Sequence, residues 1–541
     1  MKQLHKLTII FIFCCIQIIS AQIKEVNYKR NATFQIEKWE VLDVVFQAKT
    51  TIKSPYTANF YATFIHESGQ KQEVPGFYNG NNEWILRFSS SLKGTWSFES
   101  NDVVEKLKGK KGTIVVNDAQ KDNHGAIVVD KENPQHFYYE DGTPYFLLAF
   151  ECDWLYALDY HNKKEIPKTE HLLNLIDENG FNQIVMNVFS YDVSWEKDDK
   201  LKEHPEHEFG GPKDIFPFLG NNENPDYSAL NPEFFKKFDR TISLMHDKRI
   251  VSHLMIYVWN KLVAWPDMNT EADNMYFDYI VKRYQAFPNI IWDISKEALY
   301  YGRADEAYVH GRIERIRKQD NYKRLLSVHD FKYCSKNPEK VDFISTQNWS
   351  HNLYDKMLNA RQKYKQKPVF NIEHGGYEES PYQVFTGDYT NAEVCLRRNY
   401  MCLFAGVYTT YYWQGTSWNT IIHNPFEQLA NFIKPKFEYF KHMKKLFSLF
   451  DFSKMKPTPW KNGSAYNLTN DKETVLLFIH KENYGIDAAF LKNNKGKRNY
   501  QWFNTLTGKF TAIKPIDKKT KKFRSPWGNQ ADAILISKKE N

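Results

Sequence analysis

Ile290-Ile291-Trp292-Asp293-Ile294-Ser295-Lys296-Glu297 is a short apolar run that ends on two charged residues. Pro368-Val369-Phe370-Asn371-Ile372-Glu373-His374-Gly375 repeats the plan. Runs of this length, rich in β-branched residues and bounded by turn formers, read as buried strands. Working outward, six more have the same character: Tyr145–Phe150, Gln183–Phe189, Ile250–Tyr257, Leu325–His329, Phe343–Gln347 and Val407–Trp413. Segments of helical periodicity fall between them, among them Thr169–Glu178, Asn231–His246 and Asn274–Tyr284. Buried strands alternating with helices call for a parallel sheet. Eight such units predict an α/β fold, a (β/α)8 TIM barrel, with Ile290–Ser295 as its fourth strand and Val369–Glu373 as its seventh. A doubly wound sheet would carry a Gly-rich turn after its first strand. Phe150-Glu151-Cys152-Asp153-Trp154 is no such turn.

The barrel does not fill the chain. With 541 residues, 42% hydrophobic and 26% charged, the composition is that of a globular protein of about three or four domains, and disorder as the main state is excluded. Before the barrel, Val45–Gln47, Ala58–Ile65, Trp84–Phe88 and Thr95–Ser100 read as strands separated by Gly- and Asn-rich turns, which predicts an antiparallel β-sandwich. After it, Thr474–His480, Gln501–Asn504 and Ala531–Ser537 return to strand patterning, which predicts a small C-terminal β-sandwich. The expected division is a leader over 1–21, the sandwich over 22–117, the barrel over 118–445 and the C-terminal domain over 446–541. Aromatic residues reach 16%, a composition suited to gripping flat amphipathic partners.

Lys2 and Lys6 precede the apolar run Leu7–Ile19, and Ser20-Ala21 supplies small residues for cleavage. That is the plan of a secretory signal peptide, too short to span a bilayer, and it predicts export to the periplasm or beyond. No later stretch reads as a transmembrane segment. Four cysteines remain after the leader, Cys152, Cys334, Cys395 and Cys402, without a CxxC pair, and they are expected as buried free thiols. The formal charge is +8. Between Lys492 and Arg524, nine Lys and two Arg face the single Asp517. A solvated face and a polyanion-binding surface both fit this run. For an exported protein, nucleic acid is an unsuitable partner, and an acidic or sulfated polysaccharide fits better.

Three motifs resemble known families. Pro75-Gly76-Phe77-Tyr78-Asn79-Gly80, with Trp84–Phe88 and Gly94-Thr95-Trp96, resembles an N-terminal β-sandwich domain of unknown function that precedes barrels in many bacterial glycoside hydrolases. Trp502-Phe503-Asn504-Thr505-Leu506-Thr507-Gly508 looks like a motif of the small β-domain behind such barrels. The carboxylates closing strands four and seven resemble the pair of the clan A glycoside hydrolases. The resemblance implies Glu297 as acid/base and Glu373 as nucleophile, on opposite sides of the barrel mouth with a sugar between them. It implies no cofactor.

Lys296 departs from that pattern, because the clan carries Asn before its acid/base. An ammonium there lacks an acceptor for a sugar hydroxyl and brings charge beside Glu297. Three readings stand: Lys296 pairs with an anionic group of an acidic glycan, points away harmlessly, or serves an elimination at a uronic acid. The last has a precedent in the dehydratases of algal ulvan oligosaccharides, on folds like those of hydrolases. Around the mouth, Asp153, Trp154, Asn187, Tyr257, His329, Gln347, His374 and Trp413 are candidate sugar contacts, rings stacking and amides or imidazoles reading hydroxyls. His329, His351 and His374 lack the spacing of a metal set, and no metal is expected. The polar segment Asp192–Asn224 after strand two is expected to wall the cleft. Retaining hydrolysis of an acidic oligo- or polysaccharide is the leading reading, followed by uronate dehydration and by a non-catalytic glycan-binding barrel.

Overall fold

The computed structural model describes residues 23–101, 104–153, 155–159, 162, 164–191, 215–259, 262–374, 392–412, 436–458, 465–470, 474–478, 485–527 and 532–539. The signal-peptide reading, Trp154, Trp413 and most of the long segment after strand two lie outside these residues.

Eight parallel strands form the barrel: Leu148–Glu151, Gln183–Asn187, Val251–Val258, Ile290–Lys296, Leu326–His329, Ile344–Gln347, Val369–Glu373 and Tyr408–Tyr412. Their order in the sheet is 5-4-3-2-1-8-7-6, and the two end strands, five and six, approach each other so that the barrel is nearly closed. The fourth strand is buried along its whole length, as one covered on both faces must be. Helices follow each strand, from Pro167–Glu178 after the first to Glu438–Phe447 after the eighth. Their starts are chemically marked. Asn231 accepts hydrogen bonds from the amides of Glu233 and Phe234 with Pro232 behind it, and Thr270 and Asp305 cap the next two helices.

The N-terminal domain places its strands in the order Lys24–Asn27, Leu42–Gln47, Glu83–Phe88, Lys71–Tyr78, Tyr61–His66, Gly94–Ser100, Lys111–Asn117 and Thr33–Glu37. Lys71–Tyr78 belongs to both layers, pairing Tyr61–His66 through its first half and Glu83–Phe88 through Gly76–Tyr78. Gly76 stands at this bend, where a Cβ would collide with the Phe60 ring. The expected antiparallel pattern holds except at two edges, where Lys24–Asn27 and Thr33–Glu37 pair in parallel with Leu42–Gln47 and Lys111–Asn117. Consecutive strands at the start of the chain alternate between layers, so the first and third run the same way in one sheet.

The C-terminal domain is a six-stranded antiparallel sheet that docks on the barrel by ring stacking, Phe478 on Tyr400 at 4.8 Å and Tyr466 on Tyr354 at 4.0 Å. All four cysteines are buried and free. Among the described residues no helix is long and apolar enough to cross a membrane.

A buried charge network joins sandwich to barrel. Arg87, on a sandwich strand, grips Asp43 with two bonds of 2.8 Å and reaches Asp239 at 2.9 Å and the carbonyl of Arg283 at 2.8 Å. Arg283 closes the ring on Asp239 at 2.7 and 2.8 Å. Two cations meet two anions, so the junction is neutral. Burial raises Asp239, but the two guanidinium groups outweigh it and hold the carboxyl down at about 2. Its contribution to stability is therefore present above its unfolded pKa and is lost only as pH falls toward 2. Arg87→Ala leaves Asp43 buried without the guanidinium that hydrogen-bonds it. It should destabilise the protein by roughly 3–5 kcal/mol, read as a lowered urea midpoint at neutral pH.

Candidate active site

The fourth strand breaks register with the fifth between Asp293 and Lys296. Such an irregularity re-aims the following side chain, and Lys296 enters the barrel mouth with 1% of its surface exposed. Its Nζ donates to Glu151 Oε1 at 2.6 Å and Asp153 Oδ2 at 3.0 Å, and lies 3.2 Å from Glu373 Oε2. Strands one, four and seven thus meet on a single ammonium. Gln347, from strand six, donates to the other oxygen of Glu373 at 2.9 Å. His329 Nε2 stands 3.7 Å from Glu373 Oε2, and Asn187 donates to Asp153 and to Ser190.

Glu297 follows immediately. Its φ is 54°, the left-handed region, where a residue other than glycine is strained. Its amide donates to the carbonyl of His329 at 2.9 Å, and Asp330 accepts from the amides of Leu299 and Tyr300 just beyond. Strand five therefore holds the tip of strand four in place. Glu297 keeps 8% exposure where Glu373 keeps 1%.

One ammonium cannot compensate three buried carboxylates. Burial raises Glu151 well above the usual range against the pull of Lys296, with Glu373 and Asp153 adding to the rise. Burial also pushes Glu373 up, to about 7, with Lys296 opposing and the nearby charge of Glu297 reinforcing the shift. For Lys296 burial works downward, but Asp153, Glu151 and Glu373 outweigh it and hold the ammonium well above its ordinary value. At neutral pH Lys296 is a fixed cation. Among the described residues no group of His, Cys, Asp and Glu side chains is arranged to hold a metal ion.

Of the candidate sugar contacts, Asp153, Asn187, His329 and Gln347 converge on this cluster. Tyr257 does not. Its hydroxyl donates to Asp273 at 2.5 Å and its ring packs on Tyr276 and Phe277, so it faces the surrounding helices. His374 is fully buried, and burial lowers its imidazole to about 3. Trp154 and Trp413 lie outside the described residues. Of the long segment after strand two, Phe218–Gly220 and Pro225–Leu230 form a hairpin. It packs on the loop after strand three, through Asn222 to Ala264 at 2.9 Å.

Glu151 is the group that the sequence reading missed, because that strand was ended at Phe150. The signal was there: Glu151 and Asp153 lie two apart, so a strand running one residue further puts both on one face.

A parallel eight-stranded barrel with paired carboxylates at the ends of strands four and seven has the architecture of a glycoside hydrolase. The sequence matches the family described as Apiosidase-like, catalytic domain, over residues 131–454, and a domain of unknown function, DUF5060, over 35–102. The chain belongs to the apiosidase-like catalytic domain family. A candidate glycoside hydrolase from Bacteroides vulgatus ATCC 8482 is similar in structure at a TM-score of 0.73 and 20% identity, over 94% of this chain and 100% of that one. A family 5 glycoside hydrolase from the same organism is similar at 0.56 and 18%, over 77% and 94%. A further glycoside hydrolase gives 0.55 and 18%, over 77% and 98%. No curated protein matches the sequence.

Lys296→Met removes the ammonium on which, among the described residues, Glu151, Asp153 and Glu373 converge, and raises the carboxyl groups Glu151 and Glu373 further. Carboxyl groups whose folded pKa is raised stabilise the fold at low pH and lose that stability as pH rises. Equilibrium unfolding of the variant should show a loss of roughly 3–5 kcal/mol at neutral pH, shrinking as pH falls toward about 5.

Proposed function

We propose that this chain is an exported carbohydrate-active enzyme that cleaves glycosidic bonds with retention, Glu373 acting as nucleophile and Glu297 as acid/base. The observation that carries the reading is the grip on Glu373. One oxygen is fixed by Gln347, and the other faces Lys296, which favours the anion a nucleophile must be. Glu297 is the more exposed carboxylate, on a strained tip braced by strand five, as a group that must reach a leaving oxygen should be.

In this reading Lys296 has a different task from those considered in the sequence. Its charge is already met by Glu151, Asp153 and Glu373, so it needs no anion from the substrate. It is also too firmly protonated to serve as the base of an elimination. Both points support hydrolysis over dehydration. The substrate is proposed to be an oligo- or polysaccharide whose acidic groups lie away from the bond being cleaved, since among the described residues the centre carries more carboxylates than cations.

The experiment is turnover on plant and algal acidic oligosaccharides, followed by new reducing ends and by the absorbance of a conjugated uronate. New reducing ends without that absorbance support hydrolysis; the reverse overturns it in favour of elimination. No turnover on any substrate, together with binding that survives Glu373→Gln, would leave a glycan-binding barrel. In the hydrolase, Glu373→Gln should lower kcat by about 10⁴-fold or more with little change in substrate affinity. The acid limb of kcat/KM should lie near pH 7, with activity rising as Glu373 ionises, and Lys296→Gln should move that limb to higher pH.

A further inference from the structure

We infer that the C-terminal domain carries a second glycan site, a polyanion-binding face that holds a carboxylated or sulfated polysaccharide apart from the barrel. The inference rests on the reading of the chain as a carbohydrate-active enzyme. Its own observation is the way the fold gathers the lysine-rich segment.

The segment from Lys514 to Arg524 is spread over the surface by two short strand pairings. Lys514-Pro515 pairs with Asn499 and Tyr500, and Lys522-Phe523 pairs with Ile486 and Asp487. Ile516 and Phe523 point inward and are buried, which anchors the segment at both ends. Lys514, Lys518, Lys519, Lys521, Lys522 and Arg524 are all exposed. Two further exposed cations come from other parts of the sequence. Lys497 lies one residue before Arg498, whose carbonyl accepts from the amide of Ile516, and Lys539 donates its amide to the carbonyl of Lys497 at 3.0 Å. The Lys518 stem passes over Gly496, 3.2 Å from where a Cβ would stand, so this glycine leaves room for the ammonium to lie along the same face.

Two carboxylates interrupt the face, Asp487 and Asp517, and each accepts a hydrogen bond from a backbone amide, of Ala489 and Lys519, both two residues on. The result is an array of exposed cations drawn from three separate segments. A solvated face has no need of that convergence. Like charges so held repel one another, and a flexible polymer that presents many anions at once relieves the repulsion along its length. A surface of this kind neutralises several anions of one chain together, so its affinity falls steeply with salt. Polymer held there stays within reach of the barrel on the same molecule, which raises its effective concentration at the cleft.

The test is binding of the whole chain to polygalacturonate and to dextran sulfate, with neutral dextran and phosphatidylglycerol vesicles alongside, at about 50 and 200 mM salt. The expected result is retention by one or both anionic polysaccharides, not by dextran, and weakened by about tenfold or more between the two salt concentrations. Lys514→Glu/Lys518→Glu/Lys522→Glu should abolish it. Lys71→Glu/Lys106→Glu/Lys131→Glu, an equal change of charge on exposed positions outside the C-terminal domain, should keep it. If the first variant is not folded by circular dichroism, Lys519→Glu/Lys521→Glu/Arg524→Glu replaces it with the same expectation. Equal loss in the control variant, binding to vesicles alone, or no preference of the native chain for charged over neutral polymer each overturns the inference. The readout is binding, so it stands or falls separately from turnover, and Glu373→Gln should bind the polymers like the native chain.

Discussion

The ammonium of Lys296 is the constraint on which the site depends. Glu151, Asp153 and Glu373 come from strands one and seven, and without a cation between them their charges would force those strand ends apart or require every carboxyl to be protonated. With it, three strand tips are tied across the barrel mouth at 2.6 to 3.2 Å. Desolvating such a cluster is expensive, and a buried ion pair is a weak source of stability. Its yield here is geometric: Glu373 is held at both oxygens, by Gln347 and by Lys296, in a mouth that could otherwise relax.

The sandwich meets the barrel by the same principle applied to a different end. Arg87 and Arg283 share Asp239, and Asp43 completes a neutral set. At the junction the charges balance and Asp239 stays ionised far into acid. Burial still raises Asp43 there against Arg87, whereas at the mouth, where the described carboxylates outnumber the ammonium, both Glu151 and Glu373 rise. A structural cluster is settled by pairing. In the cluster at the mouth Glu373 is held near the point where protons move at neutral pH, which is the condition acid–base chemistry needs.

The architecture was legible because eight buried strands with helices between them leave a periodic trace in apolar residues, and because Glu297 and Glu373 close the two strands that carry them. Strand ends were less legible. Tyr145–Phe150 stops one residue short of the observed Glu151, and that single step hid a member of the charge cluster. Tyr257 was drawn to the mouth by its position at a strand end. Its direction was set by the alternation of the strand, which sends its ring to Tyr276 and its hydroxyl to Asp273. The partners of Lys296 were not legible at all. They come from positions 151, 153 and 373, and only barrel closure brings strands one and seven beside strand four.

That closure changes what an acidic substrate means for this molecule. Beside Glu297, a lysine read in isolation asks for an anion, and a uronate or a sulfate is the obvious answer. Held by three carboxylates, it has none to offer. Among the described residues the carboxylates of the mouth outnumber its ammonium, so under the proposed reading a carboxylated sugar at the point of cleavage would meet repulsion. A neutral sugar would not, and the positive charge that develops on its ring in the transition state is stabilised by the same excess. The cations proposed to meet a polyanion are elsewhere, on the surface of the C-terminal domain. Such a separation from the reacting centre would let one chain attract an acidic polymer without burdening the proposed acid/base pair with the polymer's charge.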